Sequence, residues 1–102
     1  MNQAQMMQQL RKMQAEMAKA QEEIAATTVV GSAGGGAVSV EMTADHRVTK
    51  VTVAPAAVDP ADVETLEDLL VVAINDANAK AQEFAQQRMG SLTGGMRIPG
   101  LM

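Results

Sequence analysis

At 102 residues with a formal net charge of −4, the chain is one small domain, too acidic overall to be a broadly basic glove for nucleic acid. With no Cys and one His, it cannot build a disulfide framework, a thiolate metal site or a multi-histidine metal site within one chain. Nine Met and a single aromatic, Phe84, within a 47% apolar composition point to a core of small, pliable side chains, for which oligomerisation is the usual remedy.

The N-terminal residues MNQAQMMQQLRKMQ lack the apolar run of a signal peptide, and no segment approaches the length of a membrane span. A soluble, cytoplasmic protein without membrane partners is expected. Met6, Leu10, Met13, Met17, Ala20 and Ile24 recur at spacings of 4-3-4-3-4, which predicts an amphipathic helix over Gln3–Ala26. Thr27-Thr28-Val29-Val30 then switches to strand-forming residues. After Gly31-Ser32-Ala33-Gly34-Gly35-Gly36, residues Ala37–Thr43 alternate, with Val38, Val40 and Met42 on one face.

Ala44–Arg47 reads as a turn and Val48–Val53 as the next strand. A two-residue loop at Asp45-His46 sets a register in which Val40 faces Val51, Val38 faces Val53 and Glu41 faces Lys50 as an ion pair. In that register Val48 falls on the polar face opposite Thr43. Pro55 ends the strand. Asp59 as N-cap and Pro60 at the first helical position open a second helix, Pro60–Met89, whose apolar stripe includes Leu66, Leu69, Ala73, Ala77, Ala81 and Phe84. Gly90 is placed for a left-handed cap. Residues 91–102 are Gly-rich without periodicity and are expected to be a flexible tail, mobile or docked on a partner, beside a single domain over residues 1–90.

The fold class is therefore α+β, in the order α-β-β-β-α, with a three-stranded antiparallel sheet and two long helices. A helix of about 28 residues spans roughly 42 Å, whereas a strand of about 7 residues covers about 23 Å. Roughly half of the second helix must overhang the sheet, and a second copy of the chain is the simplest cover for the surplus apolar surface.

Catalytic or cofactor chemistry finds no support. The glycine run leads into a strand with no Lys until Lys50, so it is a connection needing positive φ or close backbone approach rather than a phosphate loop. His46 sits in a turn with no nucleophile or orienting partner placed beside it. Asp59, Asp62, Glu64, Glu67 and Asp68 fit a solvated helix start. No enzyme, cofactor or small-molecule substrate is expected.

The basic residues sort by their neighbours. Asp76 and Lys80 form an i,i+4 pair, Lys12 and Lys19 each have a Glu four residues on, and Lys50 faces Glu41. Arg47 is partly occupied by Asp45. Arg11, Arg88 and Arg97 have no acidic neighbour at helical spacing. Folding back through the strands would bring Arg11, Lys12 and Arg88 together at an arm tip. The plainer reading keeps Arg88 as a complement to the helix C-terminus and Arg11 as a solubilising charge.

The Met/Gln-rich first helix, the Gly31–Gly36 run, the strand Val48…Val51…Val53…Pro55, the stretches Leu66-Glu67-Asp68-Leu69 and Asn75-Asp76-Ala77, and Met89-Gly90-Ser91-Leu92-Thr93-Gly94-Gly95 together resemble the YbaB/EbfC family over essentially the whole chain. The resemblance implies a tweezer-like homodimer with projecting helical arms that bind duplex DNA in the bacterial nucleoid. The candidate DNA-contacting residues are Arg11, Lys12, Lys19, Lys80, Arg88 and Arg97, acting on phosphates with little base readout. The alternative is an acidic adaptor that docks on DNA-processing proteins without touching DNA.

Overall fold

The computed structural model of the chain describes residues 2–93. Its element order is α1 (Gln3–Ala26), β1 (Thr28–Ala33), β2 (Val38–Thr43), β3 (Val48–Val53) and α2 (Val63–Thr93). The three strands form one antiparallel sheet in the order β1-β2-β3, so the expected class and order hold.

The first helix has the expected bounds. Asn2 caps it, accepting from Gln5 N at 2.8 Å. Only Ala20 and Ile24, near its C-terminal end, are buried. Met6, Met7 and Leu10 remain more than half exposed. The chain is drawn out to 71 × 29 × 16 Å with a radius of gyration of 19.8 Å, against about 13 Å for a compact chain of this length. Most of α1, and α2 beyond Ala81, run past the sheet rather than folding back over it.

Strand β1 is longer than the sequence pattern suggests, with Gly31 and Ser32 inside it. Gly31 lies against α2, and a Cβ there would collide with Ala77 N and Ala73 O. Ala73, Ala77 and Ala81 are fully buried on the facing helix, and their four-residue spacing puts three small side chains in one row. Helix and strand thus approach backbone to backbone. Gly34, Gly35 and Gly36 make the turn into β2, all with φ between 64° and 97°, the left-handed region where a side chain is strained.

The β2–β3 register pairs Val38 with Val53, Val40 with Val51 and Glu41 with Lys50, as the alternation predicts. The misfit at Val48 is resolved by a bulge at Glu41/Met42, which sets Val48 opposite Met42. The extra residue turns Val48 onto the same face as Val51 and Val53.

The second helix departs from expectation at both ends. Asp59 holds a turn instead of the helix, its carboxylate accepting from Ala61 N at 2.9 Å. Asp62 is the cap, accepting from Thr65 N at 3.3 Å and from Thr65 Oγ1 at 2.6 Å, so α2 starts three residues after Pro60. Gly90 lies within α2, which continues through Ser91, Leu92 and Thr93. The extra turn carries Leu92 to the apolar hollow that Met13 and Met17 of α1 also line. The helical residues Ser91–Thr93 correct the start expected for the tail; Gly94–Met102 lie outside the described residues.

Helix α2 covers β1 and β2. The core is Ala33, Val38, Val40, Met42, Ala73, Ala77 and Ala81, flanked by half-buried Val29, Leu66, Leu69 and Leu70. Phe84 is only half-buried, so the stripe does not carry it into the core. Strand β3 is left uncovered, with Val48 and Val51 each 45% exposed.

Candidate nucleic-acid interface

Two of the cations singled out from the sequence are already committed within the chain. Lys80 Nζ donates to Val30 O at 3.0 Å and to Asp76 Oδ2 at 3.1 Å, and Asp76 Oδ2 also accepts from Ser32 N at 3.0 Å. Val30 O and Ser32 N belong to the edge of β1 that pairs with no strand. The Asp76–Lys80 pair therefore closes that edge. The Ser32 N–H, followed by Lys80, holds the Asp76 carboxyl below the usual range.

Arg88 is the second. Its Nε donates to Glu23 Oε2 at 2.5 Å and its Nη2 to Glu23 Oε1 at 3.4 Å, a two-pronged clamp between α2 and α1. The remaining Nη1 donates to Ser91 Oγ at 3.2 Å. The hydrogen bonding lowers the Glu23 pKa and raises that of Arg88. The view of Arg88 as an uncommitted charge is corrected here: spacing along one helix cannot reveal a carboxylate 65 residues away.

Arg11, Lys12 and Lys19 behave differently. Among the described residues the ion pairs are Lys80–Asp76 and Arg88–Glu23, so the expected Lys12–Glu16 and Lys19–Glu23 pairs do not close. Glu23 is turned toward Arg88 instead. Lys12 and Lys19 are seven residues apart and share one face of α1, about 10 Å apart along it, while Arg11 lies about 100° around the helix from Lys12. All three are exposed on the projecting helix. Arg97 lies outside the described residues.

The hairpin holds two further cations that the sequence reading had discounted. Asp45 accepts from Thr43 Oγ1 and makes no ion pair with Arg47, and Lys50 stands opposite Glu41 in register without closing an ion pair. The Thr-x-Asp spacing of Thr43 and Asp45 is the signal that marks this local turn bond. His46, at φ 71°, is not a bare turn residue. Its Nδ1 lies 2.6 Å from Asn78 Oδ1, a contact that ties the hairpin to α2.

Charge is distributed unevenly over this frame. Asp59, Asp62, Glu64, Glu67 and Asp68 fall within ten residues that contain no Lys or Arg, at the start of α2 beyond the sheet. Of the cations without an ion pair among the described residues, Arg11, Lys12 and Lys19 lie along α1, away from that acidic start, and Arg47 and Lys50 lie in the hairpin. Among the described residues, no cluster of acidic or His side chains could hold a metal ion, and no helix is long and apolar enough to cross a membrane.

Comparison with known proteins agrees with this fold. The model of the YbaB/EbfC DNA-binding family matches residues 1–96. A nucleoid-associated protein of Chloroflexus aurantiacus is 56% identical over 97 residues, covering 95% of this chain and 97% of the relative. One of Roseiflexus sp. is 53% identical over 98% of this chain and 99% of the relative. The crystal structure of an uncharacterized Helicobacter pylori protein has the same fold, with a TM-score of 0.74 at 22% identity over 95% of this chain and 99% of that one.

Proposed function

From the chain's membership of the YbaB/EbfC DNA-binding family, we propose that it works in the bacterial nucleoid as a homodimer that grips duplex DNA through the phosphates with the exposed face of α1. The observation that carries this reading is the division among the cations. Lys80 and Arg88 are engaged by carboxylates, whereas Arg11, Lys12 and Lys19 stand without ion pairs on a helix that projects from the body. The acidic start of α2 repels DNA from the far end, so the field orients the duplex toward the arms despite the negative total.

The homodimer reading rests on the uncovered side of the sheet. The β1 edge is closed by Asp76 and Lys80, while β3 keeps an open edge and an apolar face of Val48, Val51 and Val53. Val71 and Ile74 of α2, 58% and 38% exposed, are further apolar side chains left in water. An exposed strand with an apolar face is a template for pairing with another chain, and a second copy buries it symmetrically.

Three cations in each of two protomers make about six phosphate contacts, so log affinity should fall against log salt with a slope of roughly −5. Affinity for duplexes of unrelated sequence should be similar, because phosphate contacts carry little sequence information. A binding isotherm with nuclease-treated protein at two salt concentrations tests both points. Undiminished binding with a slope near zero would falsify the electrostatic grip. Binding confined to crude material would favour the adaptor reading, for which the acidic pole is the supporting feature.

A further inference from the structure

The arm has an apolar trough that the described residues do not fill. One hollow of about 400 Å³ lies between α1 and the end of α2, lined by Met13, Met17, Met89 and Leu92 with Lys12 and Glu16 at its rim. A second continues outward along α1, lined by Met6, Gln9, Leu10 and Met13. The two share Gln9 and Met13, so they adjoin as inner and outer parts of the trough. Helix α2 walls only its inner half, and the outer half exposes Met6 and Leu10 at 56% and 57%.

We propose that the segment Met96–Met102 of the same chain seats in this trough. Position is the first argument. Leu92, which lines the inner hollow, is two residues from Gly94-Gly95, a pair able to take the backbone angles that redirect a chain. Length is the second. The nine residues after Thr93 reach about 30 Å when extended, whereas Met13 to Met6 is about 10 Å along α1. This leaves slack for the turn.

Chemistry is the third. Met96, Ile98, Leu101 and Met102 are apolar and match a channel walled by thioethers and leucine. Pro99 disfavours a helix there, since it biases Ile98 away from helical backbone and donates no N–H. Glu16 at the rim, without an ion-pair partner among the described residues, offers a carboxylate to Arg97. The seat is a property of the arm and holds whether or not the arm binds DNA.

The chain has no Cys, so Gly100→Cys in the full chain accepts a single nitroxide label. With 13C-methyl methionine, the Met6, Met13 and Met17 signals should broaden strongly while that of Met42, buried in the sheet core, stays sharp. The broadening should persist when labelled chains are diluted into an excess of NMR-silent, unlabelled chain. Signals of Met6, Met13 and Met17 as sharp as that of Met42 would overturn the proposal. So would broadening that disappears on dilution, since the segment would then sit on the partner. Ile98→Ser should restore the sharp arm signals without moving Met42, and retained broadening in that variant would equally count against the apolar seat.

Discussion

The body and the arm of this protein both carry apolar residues and put them to opposite use. In the body, Gly31 meets Ala73 and Ala77, and the backbones of β1 and α2 touch with no side chain between them. In the arm, Met6, Met7 and Leu10 stand on one helix with half or more of their surface in water. Among the described residues, six of the ten buried apolar ones are alanine, so the body gains stability from closeness of approach more than from side-chain volume. The arm has the bulkier side chains and little to pack them on. Stability and reach are therefore separated along the chain, and a mutation should report on one without the other.

The sharpest way to break the comparison is Gly31→Ala. A methyl directed at Ala77 N and Ala73 O cannot be accommodated without moving α2, and a cost of about 3 kcal/mol is expected. Leu10→Ala on the arm, although it deletes more atoms, should cost less than about 1 kcal/mol, because most of that side chain is already hydrated. Urea melts of the two variants, compared at equal chain concentration, measure the difference. A Leu10→Ala variant as unstable as Gly31→Ala would show that the arm is part of the core.

Val51→Asp tests the uncovered sheet. A carboxylate at the centre of a buried dimer face should weaken self-association by at least about tenfold. Sedimentation should then show single chains with unchanged helix content. A next, smaller effect concerns DNA. Replacing Lys12 by Ala in both protomers removes about two phosphate contacts and should flatten the salt slope by about 1.8. Arg88→Ala should leave the slope nearly as it was, because that guanidinium is engaged by Glu23. Equal slope changes for Lys12→Ala and Arg88→Ala would erase the distinction drawn between them.

The smallest effect is acid sensitivity. Glu23 and Asp76 both have lowered pKa values in the folded chain. Their contribution to stability is present above the ordinary carboxylate range and is lost as pH falls through the lowered values. Glu23→Gln and Asp76→Asn should each flatten the fall of melting temperature with pH in that acid window and change little near neutrality. Both side chains are more than a third exposed, so the change should be modest.

Much of this frame was legible in advance. The 4-3-4-3-4 spacing of α1, the alternation of Val38, Val40 and Met42, and the matching of Val40 with Val51 are local periodicities, and local periodicity survives folding wherever one face is buried. The misplaced features share a different cause. Val48 appeared to face the wrong way because a bulge is a property of two strands together. Asp59 looked like the helix cap because a second capping residue, Asp62, stood three positions later with Thr65 to complete it. Gly90 looked like a stop, yet α2 runs through it to Thr93, where Leu92 reaches a hollow that distant residues of α1 also line. The candidate interface was less legible still, since Arg88 and Lys80 could be sorted from Arg11, Lys12 and Lys19 only after Glu23, Val30 and Ser32 had been brought beside them.

By itself the sequence determined the inventory and order of elements, the faces that must be dry, and a helix too long for its sheet, because each of these follows from side-chain spacing and backbone rise. Tertiary structure decided which cations remain available and which strand edge stays open. Both depend on groups separated by 44 to 65 residues meeting across α2, and only the packed chain brings those groups within hydrogen-bonding distance.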